Sequence, residues 1–171
     1  VYALAVLVIL ALLALACILL LPTLRWRRTA ARNAARASLF LTGMPVTLRG
    51  ESMIPNNQCV VVANHASYLD GIVFTAVLPP RFGFAIKREM DSVPLAGLLL
   101  RRIGSEFVDR SNRNKSASDA RRVLRTASNG HSLVFFPEGT FANEPGLLKF
   151  HTGAFAIAAR AGCPIVPAII R

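Results

Sequence analysis

The sequence predicts an α/β fold: a layered, largely parallel or mixed sheet flanked by helices and preceded by an N-terminal transmembrane helix. Two observations carry this. From Gly43 onward, short β-like runs alternate with helical runs, the pattern of a parallel sheet with crossover helices. Ahead of that, residues 1–21 (VYALAVLVILALLALACILLL) carry no charge.

The apolar run has the length a span needs, since ~20 residues at a rise of ~1.5 Å cross a hydrocarbon layer of ~30 Å. Pro22 closes it, and Arg25, Arg27, Arg28, Arg32 and Arg36 follow, which marks the cytoplasmic flank. A signal peptide would instead show a shorter apolar core after a cationic start. Residues 1–22 therefore read as a transmembrane helix, 23–42 as a basic amphipathic interfacial helix and 43–171 as the globular domain. That domain is expected on the cytoplasmic side of a membrane that the chain crosses once or enters from one face. Arg25, Arg28, Arg32 and Arg36 step by three, four and four, one stripe on a helix. Beside Trp26, Leu39, Phe40 and Leu41, the stripe suits either the headgroup layer or a solvated helix that only enforces topology. The chain opens on Val1 and closes on Arg171, directly after an apolar run. Both ends are expected to be cut and the domain to be incomplete at its C-terminus.

Within the domain, Gln58 to Ala63 (QCVVVA) is a continuous apolar strand. Residues 67–78 are helical and stop at Pro79-Pro80, and Arg81 to Lys87 is a second strand. Residues 94–102 form an apolar helix before a third strand, Ser105 to Asp109. Residues 116–129 form a helix with a capping-box start at Ser116 and Asp119 and a stop at Gly130. Its apolar stripe is Ala120, Val123, Leu124 and Ala127. Ser132 to Phe136 is the fourth strand, 151–161 a small-residue helix ending at Gly162, and Pro164 to Ile170 the fifth strand.

Charge narrows the partners. The net charge is +11, from 20 Lys and Arg against 9 Asp and Glu, and no acid occurs before Glu51. Such a balance suits anionic lipid, a phosphorylated substrate or nucleic acid. Nucleic acid is the poorest fit, because one Trp and two Tyr offer little stacking surface. Cys17, Cys59 and Cys163 are far apart and odd in number, which argues against a disulfide framework and a cysteine zinc site. Nothing in the sequence fixes the oligomeric state.

Chemistry-bearing residues gather just past the strands, where α/β folds place their sites. Asn64-His65-Ala66-Ser67-Tyr68-Leu69-Asp70 follows the first strand. His65 there can act as a general base, with Asp70 fixing its tautomer and stabilising the imidazolium. Five positions on one ideal helix lie about 140° apart, so the two meet only if His65 lies in the loop and Asp70 in the first helical turn. The plainer reading is Ser67-x-x-Asp70 as a capping box beside a satisfied loop histidine. Gly104-x2-Phe107-x2-Arg110 spans the third strand, and its arginine, at the strand's end, can grip a phosphate or simply pair with Asp109 or Glu106. Phe136-Pro137-Glu138-Gly139-Thr140 follows the fourth strand and reads as a ligand-approaching turn or an ordinary one. Pro164 and Pro167 flank a strand-like pair, suggesting an edge or a pocket wall.

In this order, N-H-x4-D, G-x2-F-x2-R, F-P-E-G-T and P-I-V-P, the pieces resemble the four-block signature of the glycerolipid acyltransferases, above all the 1-acyl-sn-glycerol-3-phosphate acyltransferases. The resemblance covers residues from about 43 to 171. It implies transfer of an acyl chain from acyl-CoA or acyl-carrier protein to the free hydroxyl of a lysophospholipid. Lysophosphatidate giving phosphatidate is the first expectation. By position it implies His65 as base and Asp70 as its orienting partner. Gly104, Phe107 and Arg110 would shape the acceptor's phosphate site, while Glu138, Gly139 and Thr140 would bind acceptor and Pro164 to Pro167 would line a pocket. It implies membrane lipid as partner and no metal or cofactor beyond the acyl donor. One departure stands out: Phe141 occupies the place where many members carry an Arg after E-G-T. That loosens the case for lysophosphatidate and keeps glycerol 3-phosphate, a lyso-ornithine lipid or another lysophospholipid open as acceptors. Rival readings are a hydrolase, in which the pair activates water, and a non-enzymatic module that binds anionic lipid.

Overall fold

The computed structural model describes residues 1–109, 113–140 and 146–171. Five strands, β1 (Val60–Ala63), β2 (Phe82–Lys87), β3 (Glu106–Val108), β4 (Ser132–Phe135) and β5 (Ile165–Ala168), form one sheet in the order β3-β2-β4-β1-β5. Every pairing is parallel, with Val61 opposite Val134 and Val166 on its two sides. The predicted sheet is thus all parallel.

The strands are apolar on both faces because helices cover both. Val60, Val62, Leu133 and Phe135 point to one side. There they meet Val123 and Ala127 of α5 (Arg113–Ser128) and Ile157 and Ala158 of α6 (Gly153–Ala161). Cys59, Val61, Ala63 and Val134 point to the other, against Phe74 and Leu78 in and just after α3 (Leu69–Val77). This period-two division turns a continuous apolar run into a strand sandwiched between layers. Gly130 and Gly162 end α5 and α6 with φ of 88° and 63°, the left-handed conformation expected of glycine stops.

One helix start differs from expectation. α5 begins at Arg113, so Ser116 and Asp119 lie inside it rather than at its cap. Asp119 is buried because its carboxylate takes partners from two other segments.

The N-terminal segments pack onto this domain. Helix α1 (Tyr2–Leu20) is long and apolar enough to cross a membrane, and most of its surface is exposed. It doubles back on α2 (Leu24–Leu41), so that Tyr2 Oη donates to Leu41 O at 3.2 Å. Arg27 Nε reaches Leu21 O at 2.8 Å at the turn. From α4 (Ala96–Arg102), Arg102 donates to Leu19 O at 2.8 Å, closing the other end of α1.

Half of the arginine stripe of α2 turns inward, at Arg28 and Arg32, while Arg25 and Arg36 are exposed. Arg28 is buried and donates to Ile103 O, Arg81 O and Gly104 O. Arg32 and Arg36 donate to Ala76 O and Val77 O at the C-terminal end of α3. Those carbonyls have no intrahelical partner and carry the negative end of the helix dipole, so guanidinium groups suit them. For the buried Arg28, neither the headgroup layer nor bulk water is the partner the geometry gives. Burial pulls the Arg28 guanidinium below its ordinary value.

Candidate active site

The site is assembled where β1 ends. Asn64 leaves the strand and is held by Ile170, whose N–H donates to Asn64 Oδ1 at 2.8 Å. The Asn64 amide returns a bond to Ile170 O at 3.2 Å. The next residue, His65, stays in the loop, and α3 starts four positions later. Asp70 therefore falls in the first helical turn, the one arrangement in which the two side chains can meet. They do: His65 Nδ1 lies 2.8 Å from Asp70 Oδ2.

Asp70 is 3% exposed and fully engaged. Its Oδ2 also accepts the Ala66 and Ser67 N–H groups at 2.6 and 2.9 Å, and its Oδ1 accepts the Ser67 hydroxyl at 3.2 Å. The capping role and the pairing role thus coexist in one carboxylate. Burial alone would raise its pKa, but the bonds from Ser67, His65 and Ala66 outweigh it and hold the carboxyl below its usual range. Phe136 stacks on the imidazole, with centroids 4.4 Å apart and planes 19° from parallel, and Phe74 in turn meets Phe136 edge-on. The ring is therefore fixed by a hydrogen bond at its edge and a flat apolar wall on its face.

Glu138 is close to His65 and is held by backbone. It is 4% exposed, and its two oxygens accept the His65 and Leu148 backbone N–H groups, each at 2.8 Å. It ties the loop after β4 to the loop after β1 and is not among the residues that line the cavity. Gly139 and Thr140, its neighbours, do line it. Gly139 sits at φ 76°, which a side chain at that position would strain.

The cavity has a volume of about 590 Å³, within the ~300–1,000 Å³ usual for ligand pockets. His65, Tyr68, Gly139 and Thr140 line it together with Leu7 and Ala14 of α1, Ala34 of α2, Ile72 of α3, Ile86 of β2 and Leu99 of α4. An imidazole and an aliphatic chamber therefore share one space. Sequence reasoning gave no sign that α1 and α2 would supply its walls, nor that Phe136 would carry the imidazole ring. The position of Phe136, directly before Pro137-Glu138-Gly139, is the only signal for the latter.

The G-x2-F-x2-R block is divided. Gly104, at φ 72°, lies against α2, where a Cβ would come within 3.1 Å of Arg28 Nη2. Phe107 is buried in β3, and its carbonyl accepts from Arg122. Neither is among the residues around this cavity. Arg110 and Phe141 lie outside the described residues. The Pro164–Pro167 block falls at the sheet edge: Ile165–Ala168 is the edge strand, paired with β1 on the side away from β2. Its contribution is to brace Val60–Ala63 and, through Ile170, Asn64.

A family model described as acyltransferase matches residues 45–171. The chain is 31% identical over 134 residues to the 1-acyl-sn-glycerol-3-phosphate acyltransferase of Saccharomyces cerevisiae, covering 77% of this chain and 44% of that protein. It is 31% identical over 158 residues to lysophosphatidylcholine acyltransferase 2 of Mus musculus, covering 88% of this chain and 28% of that protein. The chain thus spans about half the length, or less, of the curated relatives it matches. Its fold resembles the crystal structure of the 1-acyl-sn-glycerophosphate acyltransferase of Thermotoga maritima, with a TM-score of 0.72 over 91% of this chain and 64% of that one. The identity there is 23%, and the likeness is one of fold.

Proposed function

The chain belongs to the acyltransferase family, and from that premise we propose that it transfers an acyl chain from acyl-CoA or acyl-carrier protein to the free hydroxyl of a lysophospholipid, first among them 1-acyl-sn-glycerol 3-phosphate. The observation that carries the proposal is the His65–Asp70 pair at 2.8 Å on the wall of an apolar cavity. Asp70 holds Nδ1, so Nε2 is the atom that takes the hydroxyl proton. As the proton leaves, the acceptor oxygen bonds to the thioester carbonyl carbon. The C–S bond then breaks, and the imidazolium returns its proton to the departing thiolate. Atoms balance without an acyl-enzyme. The aliphatic lining suits the acyl chain of donor or acceptor, and the basic surface suits the phosphates of acceptor and CoA or an acidic carrier.

The hairpin of α1 and α2 favours entry from one face of the membrane over a single crossing. A helix that crossed the bilayer would carry the antiparallel α2, with its arginines, into the hydrocarbon. We place the domain on the cytoplasmic side because of the arginines after Pro22.

The test is an acyltransferase assay on the membrane-reconstituted chain, with one acyl-CoA and a panel of acceptors: lysophosphatidate, lysophosphatidylcholine, a lyso-ornithine lipid and glycerol 3-phosphate. Lysophosphatidate is expected to give the highest kcat/KM, and His65→Ala to lower kcat by on the order of 10²–10⁴ with the fold retained. Near-normal turnover by that variant, or release of free fatty acid with no acceptor used, would remove the proposed chemistry.

A further inference from the structure

The imidazole stands on a loop that is tied to the sheet from both sides. β1 lies between β4 and β5, and the β1–β5 ladder ends with Ala63 opposite Ala168. One position further, Asn64 has left the strand, yet its side chain keeps the pairing. Its Oδ1 accepts the Ile170 N–H at 2.8 Å, and its Nδ2 donates to Ile170 O at 3.2 Å. The opposite tie comes from the loop after β4, where Glu138 accepts the His65 N–H at 2.8 Å. Asp70 then holds the ring itself.

A carboxamide carries the donor and the acceptor of a peptide group, so Asn64 extends the ladder by one step with its side chain. A carboxylate in its place has no donor, and a methyl group has neither. Because the side chain keeps the pairing, the main chain is free to turn out of the sheet, and the His65 N–H meets Glu138. The two ties reach to opposite sides of β1 and fix the His65 backbone between them. Neither Asn64 nor Ile170 is among the residues around the cavity, whereas His65 is.

We propose that Asn64 is a positioning residue for the acyl-transfer step: its clamp on the Ile170 backbone sets where His65 stands at the end of β1, and so where Nε2 meets the acceptor hydroxyl. This rests on the acyl-transfer reading above. Asn64 takes no proton and acts through His65. Misplacing a reacting group by ~1 Å costs on the order of 10²-fold in rate, so the clamp bears on kcat.

The experiment measures kcat, both KM values and the Tm of the full chain in vesicles, with acyl-CoA and the acceptor that gives the highest kcat/KM in the panel. In Asn64→Ala, kcat is expected to fall about 10- to 100-fold while each KM stays within about twofold. Ile170→Pro removes the same N–H from the other partner. It is expected to give a smaller selective fall in kcat, and it decides the matter if Asn64→Ala does not fold. The double variant is expected to be little worse than Asn64→Ala, since both changes break one contact. Val166→Ala, which trims β5 away from the clamp, is expected to lower Tm and leave kcat within about twofold. Unchanged kcat in folded Asn64→Ala, raised KM values alone, or additive losses in the double variant would overturn the proposal. So would a kcat loss in Val166→Ala equal to that in Asn64→Ala, which would make Asn64 a structural residue only. Each of these results leaves acyl transfer intact, whereas a wild-type chain inactive with every acceptor overturns the function and this inference together.

Discussion

Asp70 and Asp119 are both carboxylates buried near the carboxyl ends of strands, and both are held below their usual range, yet their company differs. Burial would raise each. Asp70 is brought down by backbone N–H groups, a hydroxyl and one imidazole, and that imidazole faces a cavity. Asp119 is brought down by two guanidinium groups and a backbone N–H, and neither guanidinium lines the cavity. The first carboxylate therefore orients a ring on the cavity wall, and the second ties the chain after two strands to a helix. A depressed carboxylate pKa alone does not separate these roles; the identity of the donors does.

The sharpest way to break the comparison is to neutralise each carboxylate in turn. Asp70→Asn is expected to lower kcat by on the order of 10³–10⁴, because the amide no longer fixes the productive tautomer or stabilises the imidazolium. Asp119→Asn is expected to leave kcat nearly untouched. Equal losses in steady-state assays would erase the distinction. The next effect is on acid stability. Both folded pKa values lie below the unfolded carboxylate value of about 4, so each group stabilises the fold fully above that pH and loses its contribution as pH falls through the folded value. Melting temperatures followed down to about pH 2 should fall steeply for wild type. They should fall least steeply for Asp119→Asn, with a contribution on the order of 1–3 kcal/mol removed. An unaltered slope in that variant would mean that its two arginines do not hold the carboxylate as described. The smallest effect is that of Ser67→Ala, which removes only the 3.2 Å hydroxyl bond to Asp70 Oδ1 and the acceptor of the Leu69 N–H. A loss of about 0.5–1.5 kcal/mol in stability and a fewfold loss in kcat are expected, measured by thermal melts and initial rates.

The sheet was legible because its strands are short apolar runs punctuated by Pro and Gly, and all five lie where the runs predict. The His65–Asp70 contact was legible as a condition: a loop His and a first-turn Asp. What sequence could not supply was the partner of each long polar side chain. Arg28, Arg32 and Arg36 read as a surface stripe because helical spacing reveals a shared face and not what lies opposite it, here the ends of α3 and the loops at Arg81 and Gly104. Asp119 read as a cap because its contacts, Arg88 and Asp109, lie 31 and 10 positions away. For Glu138, the turn sequence does not reveal that each of its oxygens accepts a backbone N–H from another loop.

The inward arginines of α2 bear on how the protein can be handled. Cutting the chain after Thr42 to obtain a water-soluble catalytic fragment would remove more than a tether. It would strip the donors from the Ala76, Val77, Arg81, Ile103 and Gly104 carbonyls, and it would open the chamber along the side that Leu7, Ala14 and Ala34 close. The first forty-odd residues are thus a wall of the cavity, and solubility has to come from detergent or lipid rather than from truncation.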